Sequence, residues 1–181
     1  MSINSVGSGT PVTAAQIQGM DLETAMMMVQ SDRANNLEVQ LKGQLKSVAD
    51  RNAQIAELNS LLTALRTQRP GGSDTEKWAN LGADQAAGKA LYDKVIKAGL
   101  TMPTGGDEVN EPGTGIYDAK QKTFDTWAEE IKGKIDSLSS TQQMDMLRLQ
   151  SLSNKRNEAF ELMTNFIKKF SDSNAGIIQK M

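Results

Sequence analysis

The chain has 181 residues with a formal net charge of -2, no cysteine and no histidine. That charge leaves no basic surplus to neutralise phosphates, so nucleic acid is not an expected partner. The missing Cys and His exclude disulfides and remove the usual nucleophile, general base and transition-metal ligands; only carboxylates, hydroxyls and lysines remain for chemistry, and neither catalysis nor a cofactor is expected.

Aromatics make up 4% of the chain, whereas Ala, Leu, Gln, Met, Lys and Glu, all good helix formers, are abundant, which predicts an elongated all-α protein. The first segment, MSINSVGSGTPVTAAQIQGM (1–20), carries no charge and cannot bury enough apolar surface to offset its ordering entropy. It reads as a flexible polar N-terminus, either a frayed end or an uncleaved export signal. It lacks a basic run followed by an apolar one, and no stretch reaches the roughly 18 apolar residues of a membrane span, so neither a conventional leader nor a transmembrane helix is expected.

Asp21 is a candidate N-cap for a long helix over 21–69 that stops at Pro70-Gly71-Gly72. Ala34, Leu41, Val48, Ile55 and Leu62 recur at heptad spacing, and Leu45, Asn52 and Asn59 form the interleaved set. This predicts a coiled-coil seam through Leu41, Leu45, Val48, Ile55 and Leu62, with two polar layers. Met26, Met27 and Met28, unbranched and polarizable, suit either the core or an adaptable partner surface.

Residues 70–118 change character and read as a variable middle insertion, less regular than its flanks. Ser73 or Asp74 is expected to cap a helix carrying Trp78, Leu81, Leu91 and Val95 to a stop at Gly99, followed by the loop TMPTGGDEVNEPGTG. GADQAAGKA (82–90) fails as a phosphate loop, because five residues separate Gly82 from Gly88 and Ala90 stands where a hydroxyl is needed. Asp107, Glu108 and Glu111 could offer oxygens to calcium but lack EF-hand spacing, which favours a solvated loop.

From 119 to 181 a second long helix is expected. Ala128, Ile131, Ile135, Leu138, Gln142, Asp145, Leu149, Leu152, Arg156, Ala159, Met163, Phe166 and Phe170 keep an unbroken three-four spacing, the signature of a coiled coil. Its seam is assigned to Ile131, Ile135, Leu138, Leu149 and Leu152. The simplest fold is all-α, with the N- and C-terminal helices folding back as a long antiparallel coiled-coil hairpin around the middle insertion. Two features point beyond a monomer. Met146, Leu147, Phe160, Leu162, Ile167, Ile177 and Ile178 lie off the seam, so more than one helix face is apolar. Moreover the stripe carries the polar Arg156, flanked by Asn154, Lys155 and Asn157, and a polar group at such a position can specify register and partner choice. Asn154, Arg156, Asn157, Phe160, Met163, Phe166, Phe170, Ile177 and Ile178 are therefore the candidate self-assembly residues.

The stretch QQMDMLRLQSLSNKRNEAFELMTNFIKKFSDSNAGIIQKM, with its LQSLSNKRNEAFE core, the paired Lys168 and Lys169 and the Ile177-Ile178 ending, resembles the end of bacterial type III secretion filament and needle-tip proteins, the EspA-like hydrophilic translocators. The rest of the chain is similar in layout only. The resemblance implies a secreted protein at the bacterial surface that forms a homo-oligomeric filament or tip ring on the secretion needle and passes effectors to a host cell. The implied partners are the needle subunit, the hydrophobic translocator proteins and a cytosolic secretion chaperone. A cytosolic helical adaptor or secretion chaperone is the alternative function that the residues leave open.

Overall fold

The computed structural model describes residues 21–110 and 117–178, except for the side chains of Glu23 and of residues 173–178. The expectations for 1–20, the Glu111 oxygens and the Ile177 and Ile178 side chains lie outside the described residues. Helix accounts for 77% of what is described, and the two long helices pack together. In chain order the elements are α1 (Leu22–Gln68), β1 (Trp78–Asn80), α2 (Gln85–Lys97), β2 (Asp118–Lys120) and α3 (Gln121–Ile178).

Local chemistry sets the boundaries. The Asp21 carboxylate accepts the Thr24 N–H at 2.9 Å, satisfying one of the orphan donors that open α1, and also the Thr24 hydroxyl at 2.7 Å. Asp84 caps α2 by accepting the Ala87 N–H at 2.7 Å. Gly99, at φ +62, ends α2 in the left-handed turn that glycine adopts without a Cβ penalty. Strand β2 runs directly into α3, whose first N–H groups are satisfied from outside the helix: Gln121 donates to the Lys77 carbonyl at 2.8 Å and Lys122 to the Thr75 carbonyl at 3.0 Å.

The chain divides into two compact units. The first joins the start of α1, to Val48, with α3 from Met144 onward. Its interior is thin: Ala34, Leu37, Leu149 and Ala159 are buried and most neighbouring apolar groups only half-buried. The second, Ala49–Gln143, contains a closed core. There Trp127, Phe124 and Ile131 of α3 meet Leu61, Leu62 and Leu65 of α1, with Leu91 and Val95 supplied by α2. Phe124 and Trp127 pack edge to face at 6.0 Å, and the indole N–H donates to the Thr101 carbonyl at 2.8 Å, so the largest core side chain is buried without stranding its donor. β1 and β2 pair antiparallel in the register Trp78 to Lys120, Ala79 to Ala119 and Asn80 to Asp118.

Two sequence expectations are corrected. No helix starts at Ser73 or Asp74; Trp78 lies in a strand, and the helix begins at Gln85 under the Asp84 cap. The residues between Asp74 and Asp84 instead pair with the segment that leads into α3: the Thr75 and Lys77 carbonyls accept the Lys122 and Gln121 N–H groups, and the Leu81 N–H donates to the Tyr117 carbonyl at 2.8 Å. The second correction concerns register in α1. Ala34, Leu41, Val48, Ile55 and Leu62 are buried or half-buried, but the positions interleaved with them are Leu37, Gln44, Arg51, Leu58 and Leu65. Leu45 is 54% exposed and Asn52 and Asn59 are exposed, so the interleaved set expected from sequence is displaced by one residue and Leu45 leaves the seam.

Candidate assembly surface

On α3 the inner stripe follows the three-four spacing closely. Ile131, Asp145, Leu149 and Ala159 are buried, and Ile135, Leu138, Leu152, Arg156, Met163 and Phe166 half-buried. The seam is wet in places. In the first unit Gln44 donates to the Asp145 carboxylate at 2.7 Å; in the second Gln142 donates to the Asn52 carbonyl oxygen at 2.6 Å. Paired amides and carboxylates of this kind fix register while adding little net stability, because each only replaces hydrogen bonds to water.

The proposed self-assembly residues fall into two groups. Arg156, Met163 and Phe166 belong to the half-buried inner stripe of the first unit, whereas Asn154, Asn157, Phe160 and Phe170 are exposed. Arg156 spans both settings: its guanidinium lies 6.0 Å from the Phe160 ring centroid, while its Nε is buried without a hydrogen-bond partner. Such an atom retains a desolvation cost that a further acceptor would relieve.

The exposed apolar side chains are concentrated in the first unit. Among the described residues, eleven of the thirteen large hydrophobic residues that remain exposed belong to it, Trp78 and Ile96 being the exceptions. Met146, Phe160 and Ile167, at 54%, 47% and 57% exposure, each follow an inner-stripe residue by one position and share one flank of α3, which Phe170 extends at 49%. On the other side, the exposed Arg148 and Lys155 each precede an inner-stripe residue. The sequence signals this flank only once the inner stripe is assigned, since its residues stand at heptad spacing among polar neighbours.

The second unit presents polar ties in place of an apolar surface. Lys120 and Lys122 bridge Glu76 and Asp107 at 2.6 to 2.8 Å, holding the loop before β2 against the start of α3. Hydrogen bonds from Lys120, then Lys122, hold both carboxyls below the usual carboxylate range, and the same bonds raise both lysines. Asp125 is likewise lowered, by its two-pronged contact with Arg69 at 2.5 and 2.9 Å. Glu108 accepts the N–H groups of Gly105 and Gly106 at 2.9 and 2.8 Å. Asp107 and Glu108 thus serve the loop itself, and no group of three or more acidic residues is disposed to hold a metal among the described residues. The glycines of GADQAAGKA also have a packing role. A Cβ on Gly82 would stand 2.4 Å from the Gly88 nitrogen, and one on Gly88 would meet Tyr117 at 3.3 Å.

No helix of the described residues is long and apolar enough to cross a membrane. Comparison of the chain with protein-family models, with curated proteins and with solved structures finds no match.

Proposed function

We propose that the chain is a structural, self-assembling subunit of the extracellular filament or needle tip of a bacterial type III secretion system. In this reading copies associate into a hollow conduit or tip ring that links the needle to the translocation pore and passes effectors to the host cell. The observation that carries the self-assembly half is the uneven distribution of apolar surface. Among the described residues a unit with a thin interior keeps eleven large hydrophobic side chains exposed, and Met146, Phe160 and Ile167 share one flank, the kind of contiguous apolar surface that supports a binding role. The secretion half rests on the resemblance of residues 142–181 to the EspA-like proteins.

The antiparallel hairpin belongs to the same reading. Its support is the order of the cross-helix pairs within each unit: Arg33 with Glu158 and Gln44 with Asp145 in the first, Asn52 with Gln142 and Arg69 with Asp125 in the second. Rising α1 numbers meet falling α3 numbers. In an antiparallel pair the residues that follow Gln44 and Asp145 share one side, so Leu45 and Met146 extend the Phe160 and Ile167 flank onto α1. The absence of any disulfide suits a chain unfolded for passage through a needle. Its partners are other copies of itself, the needle subunit and the hydrophobic translocators, with a cytosolic chaperone covering the apolar flank before export.

Secretion by a strain with a functional needle, compared with and without residues 1–20, tests the secretion half. Full-length protein in the medium and truncated protein retained inside is the expected result. Retention of both forms would favour the cytosolic adaptor reading.

A further inference from the structure

The second unit carries an open groove of about 860 Å³ between α1, the end of α2 and α3. Leu58, Leu61, Leu138 and Ala98 line its floor, and Lys94, Lys97 and Lys134 stand along it. Its one carboxylate, Glu57, lies 3.5 Å from Lys97, while Lys94 and Lys134 form no ion pair among the described residues. An apolar floor beside two uncommitted ammonium groups fits an amphipathic helix that carries acidic residues next to an apolar stripe.

The chain contains such a helix. The opening of α1, DLETAMMMVQSD (21–32), has three carboxylates and no Lys or Arg. Leu22, Met26 and Val29 are spaced i, i+4, i+7, the spacing of anchors in helix-in-groove recognition, and are 75%, 40% and 44% exposed. This stripe belongs to the first unit and the groove to the second. We propose that the groove of one copy receives the Leu22-Met26-Val29 stripe of a second copy, with Lys94 and Lys134 facing the carboxylates of residues 21–32. The contact rests on the assembly reading and specifies its geometry. Joining two different surfaces makes it heterologous, so a pair of copies retains one unused groove and one unused stripe, and addition continues until a ring closes or a filament grows.

The test uses the full chain. The K94E/K134E variant changes two side chains outside the core and is expected to keep its helical circular dichroism while associating at least about tenfold more weakly by sedimentation velocity, because like charges then meet. The E23K/D32K variant should show the same loss, and the variant combining all four changes should regain association. Because the chain has no cysteine, M26C and A98C proteins give an independent readout: an equimolar mixture under oxidation should form the mixed M26C–A98C disulfide in preference to either self-pair. A wild-type chain that remains monomeric overturns the assembly reading and this contact with it. A wild type that assembles while K94E/K134E assembles equally well, or M26C that cross-links only to itself, overturns the contact alone.

Discussion

Replacing the apolar flank of α3 with hydroxyls should weaken assembly at little expense to the fold. Phe160 is 47% exposed, so a phenyl side chain of about 200 Å² offers roughly 95 Å² to a partner, worth about 2 kcal/mol at ~25 cal/mol per Å². Ile167 is 57% exposed, and with full burial of an aliphatic side chain worth about 1.5–3 kcal/mol it adds about 1 kcal/mol. Together the two changes in F160S/I167S remove about 3 kcal/mol per contact, on the order of 100-fold in association constant. An interface covers only part of each side chain, so the loss should be at least about tenfold. Exposed positions cost the monomer little, typically within about 0.5 kcal/mol each. Sedimentation velocity over a concentration series, with circular dichroism as the folding control, reads both quantities. Unchanged association of a folded F160S/I167S protein would refute the assignment of this flank to assembly.

Three further outcomes are expected. Arg156→Leu removes a half-buried guanidinium whose Nε lacks a partner, so the first unit should melt at a higher temperature, while filament geometry or affinity should change because a register-specifying group is lost; assembly with identical symmetry and affinity would contradict this. Glu76 and Asp107 have folded-state pKa values below their ordinary 4.5 and 3.8, so the unfolded chain binds more protons in this range. Their stabilisation is complete above the ordinary values and is lost as pH falls through the lowered ones; acid unfolding followed by tryptophan fluorescence should show that loss, and E76Q/D107N should lack it. Gly82→Ala places a methyl 2.4 Å from backbone, and the shift needed to relieve it should cost about 1–3 kcal/mol, lowering the melting temperature of the second unit in calorimetry.

The helical class and the α3 stripe were legible because a three-four apolar period sustained over many turns has no competing explanation. The α1 register was misread at one specific place. Its inner positions 44 and 51 hold Gln and Arg, while position 45 holds Leu, so the apolar signal points one residue away from the positions that face inward. The hydrogen bond from Gln44 to Asp145 makes a polar side chain acceptable there, and that partner stands 101 residues away. The middle was harder. Strands of three residues, WAN and DAK, are too short to display a period of two, and Trp78, Leu81 and Tyr117 are positioned by pairing across some 40 residues rather than by local propensity. Asp84 could have been read as a cap from its place before an amphipathic run, but the apolar Trp78 and Leu81 drew the helix start upstream. The groove beside Lys94 and Lys134 depends on three helices at once and leaves no trace in any single segment.

The central claim is that the chain assembles with itself, and negative-stain electron microscopy of the purified full-length protein over rising concentration tests it most directly. Filaments or rings of uniform width that appear above a threshold concentration are the predicted result; a chain that stays monomeric at every concentration and salt condition would contradict it.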